Sequence, residues 1–129
     1  MENPTTKVTS IKVANLRKQG ISNLREWMEN PNNIYVGRHG RIFIDKDIFH
    51  YPASKWQNPF KLKDYNHNDS LSLYVLYLFI TGLIHEIEEL RGKTLGCFCE
   101  HQRDKDGVPI CHAQILADLL DKCSHLLHK

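Results

Sequence analysis

The chain has 129 residues, 41% of them hydrophobic, and a formal charge of +2 with basic and acidic residues interspersed. That length and apolar content suffice for one core without disulfide or metal staples, so a single domain over residues 1–129 is expected, its core at about residues 8–120 between a flexible N-terminus and a C-terminal tail. The mild charge excludes the concentrated basic footprint that would demand nucleic acid while still permitting it. Glu2, Asn3 and Pro4 ahead of any apolar run lack the features of a secretory leader, so a cytoplasmic protein with reduced thiols is expected.

Taken in chain order, Val8 to Leu16 alternates partly between apolar and polar residues and predicts a first strand. Ile21 to Glu29 carries Leu24, Trp27 and Met28 at helical spacing and predicts a short helix, ended by the breaker Asn30-Pro31-Asn32-Asn33. Ile34-Tyr35-Val36 predicts a second strand. The turn Gly37-Arg38-His39-Gly40 then leads into a hairpin strand, Arg41 to Ile44, which Lys46 to Tyr51 extends or decorates. Pro52 to Lys61 reads as irregular.

Leu71 to Ile84 is the most apolar stretch, but a bilayer takes about 20 apolar residues, so it predicts a buried core helix with no membrane partner. Asp69 or Ser70 is the expected cap, Gly82 a bend or close contact, and Gly92 the stop after the acidic run His85 to Leu90. Thr94 to Cys99 predicts a third core strand and Ala113 to Leu120 the final helix.

Helices that follow strands indicate an α/β fold: a small single domain with a short mixed or mostly parallel sheet covered by helices, Rossmann-like in outline. Open sheets of this kind bind ligands beyond the carboxyl ends of their strands. Gly37-Arg38 after one strand and Cys97-Cys99 after another are therefore expected to border one pocket.

The cysteines carry the clearest chemistry. Cys97 and Cys99 are two apart, so on a strand they share a face while Phe98 takes the other. Cys111 and His112 open the last helix, where free N–H groups and the helix dipole favour a thiolate or a bound anion. Cys97, Cys99, Cys111 and His112 together make a tetrahedral zinc ligand set, although C-x-C on a strand splays its sulfurs and adjacent C-H diverges. The same residues also fit a catalytic thiol, with Cys99 or Cys111 held as thiolate by His112. The structural alternative is that Cys97 and Cys99 are small buried hydrophobes of a core strand and His112 a helix-capping side chain, with Cys123 structural as well. Glu100 is the nearest candidate acid/base and His101 an alternative metal ligand; the other histidines, His39 and His67 among them, read as surface or satisfied side chains.

A second constellation is Gly37-Arg38 with Lys55-Trp56-x-Asn58-Pro59. A guanidinium binds phosphate or carboxylate bidentately, an exposed Trp beside Lys stacks on a nucleobase, and the Asn58 amide reads a base edge. The alternative is structural: Trp56 and Phe60 pin the loop to the core, Asn58-Pro59 makes a turn, and Arg38 and Lys55 are solvated.

The strings Tyr35-Val36-Gly37-Arg38, Ser54-Lys55-Trp56-Gln57-Asn58-Pro59-Phe60, Leu90-Arg91-Gly92-Lys93, Leu95-Gly96-Cys97-Phe98-Cys99 and Cys111-His112, in this order, closely resemble domain of unknown function 4326, a family of bacteria, phages and large DNA viruses. The resemblance runs from about Val8 to Leu120. The family usually has Gly where Gln57 stands and a shorter loop before Cys111-His112, so the segment from Phe43 to Ser54 and the charged loop from Gln102 to Val108 are expected to be peculiar to this chain. Likeness to a viral family implies host cytoplasm as the location. The family brings no established reaction. Taken with the residues, it leaves a nucleotide, nucleoside or nucleic-acid-derived ligand as the expected partner. The protein is then an enzyme with a Cys/His site, a non-catalytic sensor or accessory module, or a zinc-stabilised interaction module.

Overall fold

In the computed structural model, which describes residues 5–99 and 102–127 with the side chains of 123–127 excepted, three short parallel strands are sandwiched between two apolar clusters. Glu100 and His101, and the side chains of Cys123, His125 and His128, lie outside the described residues.

Strand β1 (Lys7–Ser10) and strand β2 (Asn33–Tyr35) flank the central strand β5 (Thr94–Cys97), which is last in sequence. All pairings are parallel, with Val8 and Ile34 both in register with Leu95. A separate antiparallel hairpin joins β3 (Gly40–Ile44) to β4 (Asp47–Tyr51). Its two-residue turn, Asp45-Lys46, has positive φ at both positions, which matches the twist of the strands it connects. Asp47 to Tyr51 therefore forms the second strand of the hairpin, paired with β3, and Lys46 belongs to the turn.

Two expectations from the sequence are corrected. The first strand ends at Ser10, and Val13–Lys18 forms helix α1 instead of prolonging it. Beyond Ser10 the buried residues are Ile11 and Leu16, while Val13 is 49% exposed, so the period of two has already stopped. Helix α3 (His67–Ile80) is capped by neither Asp69 nor Ser70. Asn66 lies one turn earlier, and its side-chain oxygen accepts from the Asp69 N–H at 2.8 Å. Helix α2 (Leu24–Glu29) follows the expected span and is capped by Asn23.

At Gly82, φ is +78°, and the chain turns through 103° into a 3-10 helix, Leu83–Leu90. Among the described residues no single helix is long and apolar enough to cross a membrane. Helix α4 (His112–Leu127) closes the fold.

The strand alternation of β5 divides the interior. Leu95 and Cys97 face a core that includes Val36, Trp56, Tyr74, Leu78, Leu116 and Leu120. Gly96 faces the smaller cluster of Ile11, Leu16, Leu24, Trp27 and Tyr35. A Cβ on Gly96 would come within 2.7 Å of Ile11 Cγ2 and collide with the Trp27 ring, so only hydrogen fits there. Covered on both faces, the parallel sheet leaves its carboxyl ends as the place where side chains from many elements meet.

Candidate functional site

Beyond the carboxyl ends of β2 and β5 lies a cavity of about 460 Å³. Gly37, Arg38 and His39 enter it after β2, and Cys97, Phe98 and Cys99 at and after β5. The first turns of α3 and α4 close it, through His67 and Ser70 on one side and Cys111 and His112 on the other. Tyr51, Asn58 and Phe60 complete its walls, and no carboxylate is among the described lining residues. Two helix N-termini and a guanidinium around one space make it favourable to negative charge.

The sulfurs of Cys97, Cys99 and Cys111 all lie within 4.8 Å of one another. The expected splaying of C-x-C is therefore corrected, because the α4 entry delivers Cys111 against the same face of β5. Cys97 and Cys111 are buried, with sulfurs 3.1 Å apart, while Cys99 is partly exposed to the cavity. The three thiols share charge unequally. Hydrogen bonding to Cys111 and then to Cys97 holds Cys99 well below the ordinary thiol range. Hydrogen bonding to Cys111 and Cys99, with burial, pushes Cys97 far up. Of the three thiols, the accessible one is therefore the one shifted toward the thiolate form.

One ring nitrogen of His112 is engaged by the main chain. Its Nε2 lies 2.6 Å from the carbonyl oxygen of Val36; a carbonyl only accepts, so Nε2 carries the proton and, in the neutral ring, Nδ1 is the free acceptor. Burial lowers its pKa, which keeps the ring neutral. The close group consists of the three cysteines, and His112 is not among its members. Three sulfurs fit zinc on donor chemistry: Zn–S bonds of about 2.3 Å place tetrahedral sulfurs about 3.8 Å apart. The fourth position would then face the cavity.

The second constellation separates. Arg38 stays at the cavity, one N–H donated to the Asn58 carbonyl at 2.5 Å. Gly37 is required there, because a Cβ would collide with the Tyr35 hydroxyl, which folds back to donate to the Arg38 carbonyl. Asn58 is buried, with its amide already committed: Nδ2 donates to Ser70 Oγ at 2.9 Å and Oδ1 accepts from the Phe60 N–H. It fixes the loop to α3.

Of the two readings of Trp56 the structural one fits: it is 2% accessible, held by an Nε1–H bond to Glu89 and packed in the main core. Lys55 turns outward to Glu86 and Glu89, at 2.8 and 2.7 Å. Lys55, Trp56 and Pro59 do not line the cavity. The apolar loop anchor outweighs ligand stacking because a buried indole contributes far more than a wet one.

His39 and His67 are exposed, as the sequence suggested, but they line the cavity together with Tyr51, Phe98 and Ser70, none of which sequence reasoning assigned to the site. The Asn66 cap was the available signal for His67, since it places that residue in the first turn of α3.

Residues 20–122 match the family model described as Domain of unknown function (DUF4326). Over 89 residues, 67% of this chain, the sequence is 33% identical to the uncharacterized protein R718 of Acanthamoeba polyphaga mimivirus, and the match covers 65% of that protein. The match thus covers slightly less than two thirds of this relative. No solved structure matches.

Proposed function

We propose, for a chain that belongs to the family of domain of unknown function 4326, that its cavity binds an anionic ligand of nucleotide or nucleoside type, or a nucleic-acid end. Cys99 acts on that ligand as a nucleophilic or polarising thiolate, with Cys111 and His112 in support. The observation that carries this reading is the convergence of Arg38, the first turns of α3 and α4 and three thiols on one space lined by no described carboxylate. The volume lies in the range of small-molecule sites. Tyr51, Phe60 and Phe98 supply the aromatic faces against which a base would pack, in place of Trp56.

The test is a thermal-shift panel of nucleotides, nucleosides and inorganic phosphate, because a ligand that binds the native state raises Tm by mass action. A nucleotide is expected to raise Tm more than phosphate does, and Arg38→Ala to remove the rise. A panel in which no member stabilises the wild type sinks the reading. Turnover of the stabilising ligand, lost in Cys99→Ser while binding persists, separates an enzyme from a sensor or accessory module.

A second reading rests on the three sulfurs within 4.8 Å: the protein holds zinc through Cys97, Cys99 and Cys111. Bound there, zinc would supply a Lewis acid facing the cavity. Elemental analysis should then give zinc in proportion to protein, and chelator should lower Tm. Purified protein without zinc whose melting ignores added zinc removes this reading.

A further inference from the structure

We propose that Cys97, Cys99 and Cys111 form a hydroperoxide-responsive thiol site, in which Cys99 takes up oxygen and Cys111 closes a disulfide on it. The inference stands without the identity of the cavity's ligand. Three free thiols already lie within 4.8 Å of one another, so a bond between two of them needs side-chain rotation but no unfolding.

Position assigns the roles. Cys99 is the partly exposed thiol and lines the cavity, whereas Cys97 and Cys111 are 2% and 1% accessible. A small oxidant entering the cavity therefore meets Cys99 first. The resolving thiol must come from another segment. Cys97 stands only two residues from Cys99 across the bend at Phe98, so a disulfide between them would have to close a very short ring. Cys111 approaches from the start of α4 and escapes that restriction.

In the first step the O–O bond of hydrogen peroxide breaks. One oxygen bonds Cys99 Sγ to give the sulfenic acid, and the other leaves as water with the thiol proton. In the second, Cys111 Sγ attacks Cys99 Sγ and the S–O bond breaks, the hydroxyl leaving as water with the Cys111 proton. Two thiols lose two electrons and one peroxide becomes two waters. The disulfide withdraws the Cys99 sulfur from the cavity as nucleophile and as metal ligand alike, so oxidation closes the site until a thiol reductant restores it.

The test treats the reduced full chain with a small excess of hydrogen peroxide and reads intact mass, mapped peptides and zinc content together. The wild type is expected to lose the mass of two hydrogens, yield a peptide linking Cys99 to Cys111, and recover with dithiothreitol. Cys111→Ser should accumulate sulfenic acid at Cys99, captured by dimedone. Cys99→Ser, a change at a partly exposed position, should show neither capture nor disulfide at that dose, with its fold checked by circular dichroism. The proposal is overturned if wild-type thiols stay unoxidised, with or without zinc. It is equally overturned if Cys99 passes to sulfinic acid without a disulfide, or if the linked pair omits Cys99 or Cys111.

Discussion

His112, the first residue of α4, donates its Nε2–H to the carbonyl oxygen of Val36 at 2.6 Å, tying the last helix to the end of β2. The ring is packed edge-on against Tyr74 at 5.3 Å between centroids. Replacing it with Ala leaves the carbonyl of a buried residue without this donor, a cost of about 1–3 kcal/mol. Urea denaturation of His112→Ala should show that loss. The wild type should also weaken in acid. Burial lowers the folded-state pKa below the ordinary 6.5, so between the two values the unfolded chain binds the extra proton. This contribution is fully present above 6.5 and is lost as the pH falls toward the folded-state value, and His112→Ala should lack that part of the pH dependence.

Cys99 should be the thiol that iodoacetamide reaches first. Hydrogen bonding to Cys111 and Cys97 lowers its pKa, and those two thiols are buried. An ordinary thiol, with a pKa of about 8.5, slows roughly tenfold for each pH unit below that value. Alkylation of Cys99 should instead stay nearly level from about pH 8 down to about pH 5, read by peptide mass mapping. A rate that falls tenfold per unit across that interval would mean that Cys99 is an ordinary thiol.

Trp56 and Lys55 are adjacent but should respond oppositely to substitution. Trp56→Ala empties part of the main core and breaks the bond to Glu89, so a loss of about 3–5 kcal/mol is expected. Lys55→Ala removes an exposed ion pair and should leave the melting temperature nearly unchanged. Neither residue lines the cavity, so Lys55→Ala should keep the ligand response that Arg38→Ala loses.

The residues that could be read in advance are those whose neighbours in sequence determine their setting. Period-two segments and a helix start placed Cys97, Cys99, Cys111 and Arg38 at one end of a parallel sheet, because pleat and topology are local rules. Trp56 could not be read this way. Beside Lys55 it looks like a wet aromatic, and only α3 and the 3-10 helix, distant in sequence, close over it. The aim of His112 was equally hidden, since it depends on how β2 and α4 dock. The α1 helix was missed because six residues with a single buried side chain, Leu16, leave too little periodicity to distinguish them from strand.

Gly96 tests the two-sided packing of the sheet. Its missing Cβ makes room for Ile11 and the Trp27 ring, neither of which can retreat from a buried cluster. Gly96→Ala should therefore destabilise by about 1–3 kcal/mol through overpacking, although alanine is ordinarily acceptable in a strand. A cavity-making partner, Ile11→Ala, should recover part of the loss in the double variant. Additive losses would mean that the strain lies elsewhere.

Tyr74 ties α3 to the loop through its hydroxyl, which donates to the Trp56 carbonyl at 2.6 Å. Burial first, and then the neighbouring Tyr77 and Cys111, raise its pKa well above the ordinary 10.0. The folded protein keeps this proton where the unfolded chain has released it, so the contribution is fully present below about pH 10 and is lost as the pH climbs beyond it. Tyr74→Phe leaves the Trp56 carbonyl without its donor and should lose about 1–3 kcal/mol near neutrality. Its deficit against the wild type should shrink above about pH 10, because phenylalanine has no proton to hold. Chemical denaturation of both proteins from about pH 7 to pH 11 measures this directly, and a deficit that stays constant across the range would mean that the Tyr74 hydroxyl titrates as freely in the folded chain as in the unfolded one.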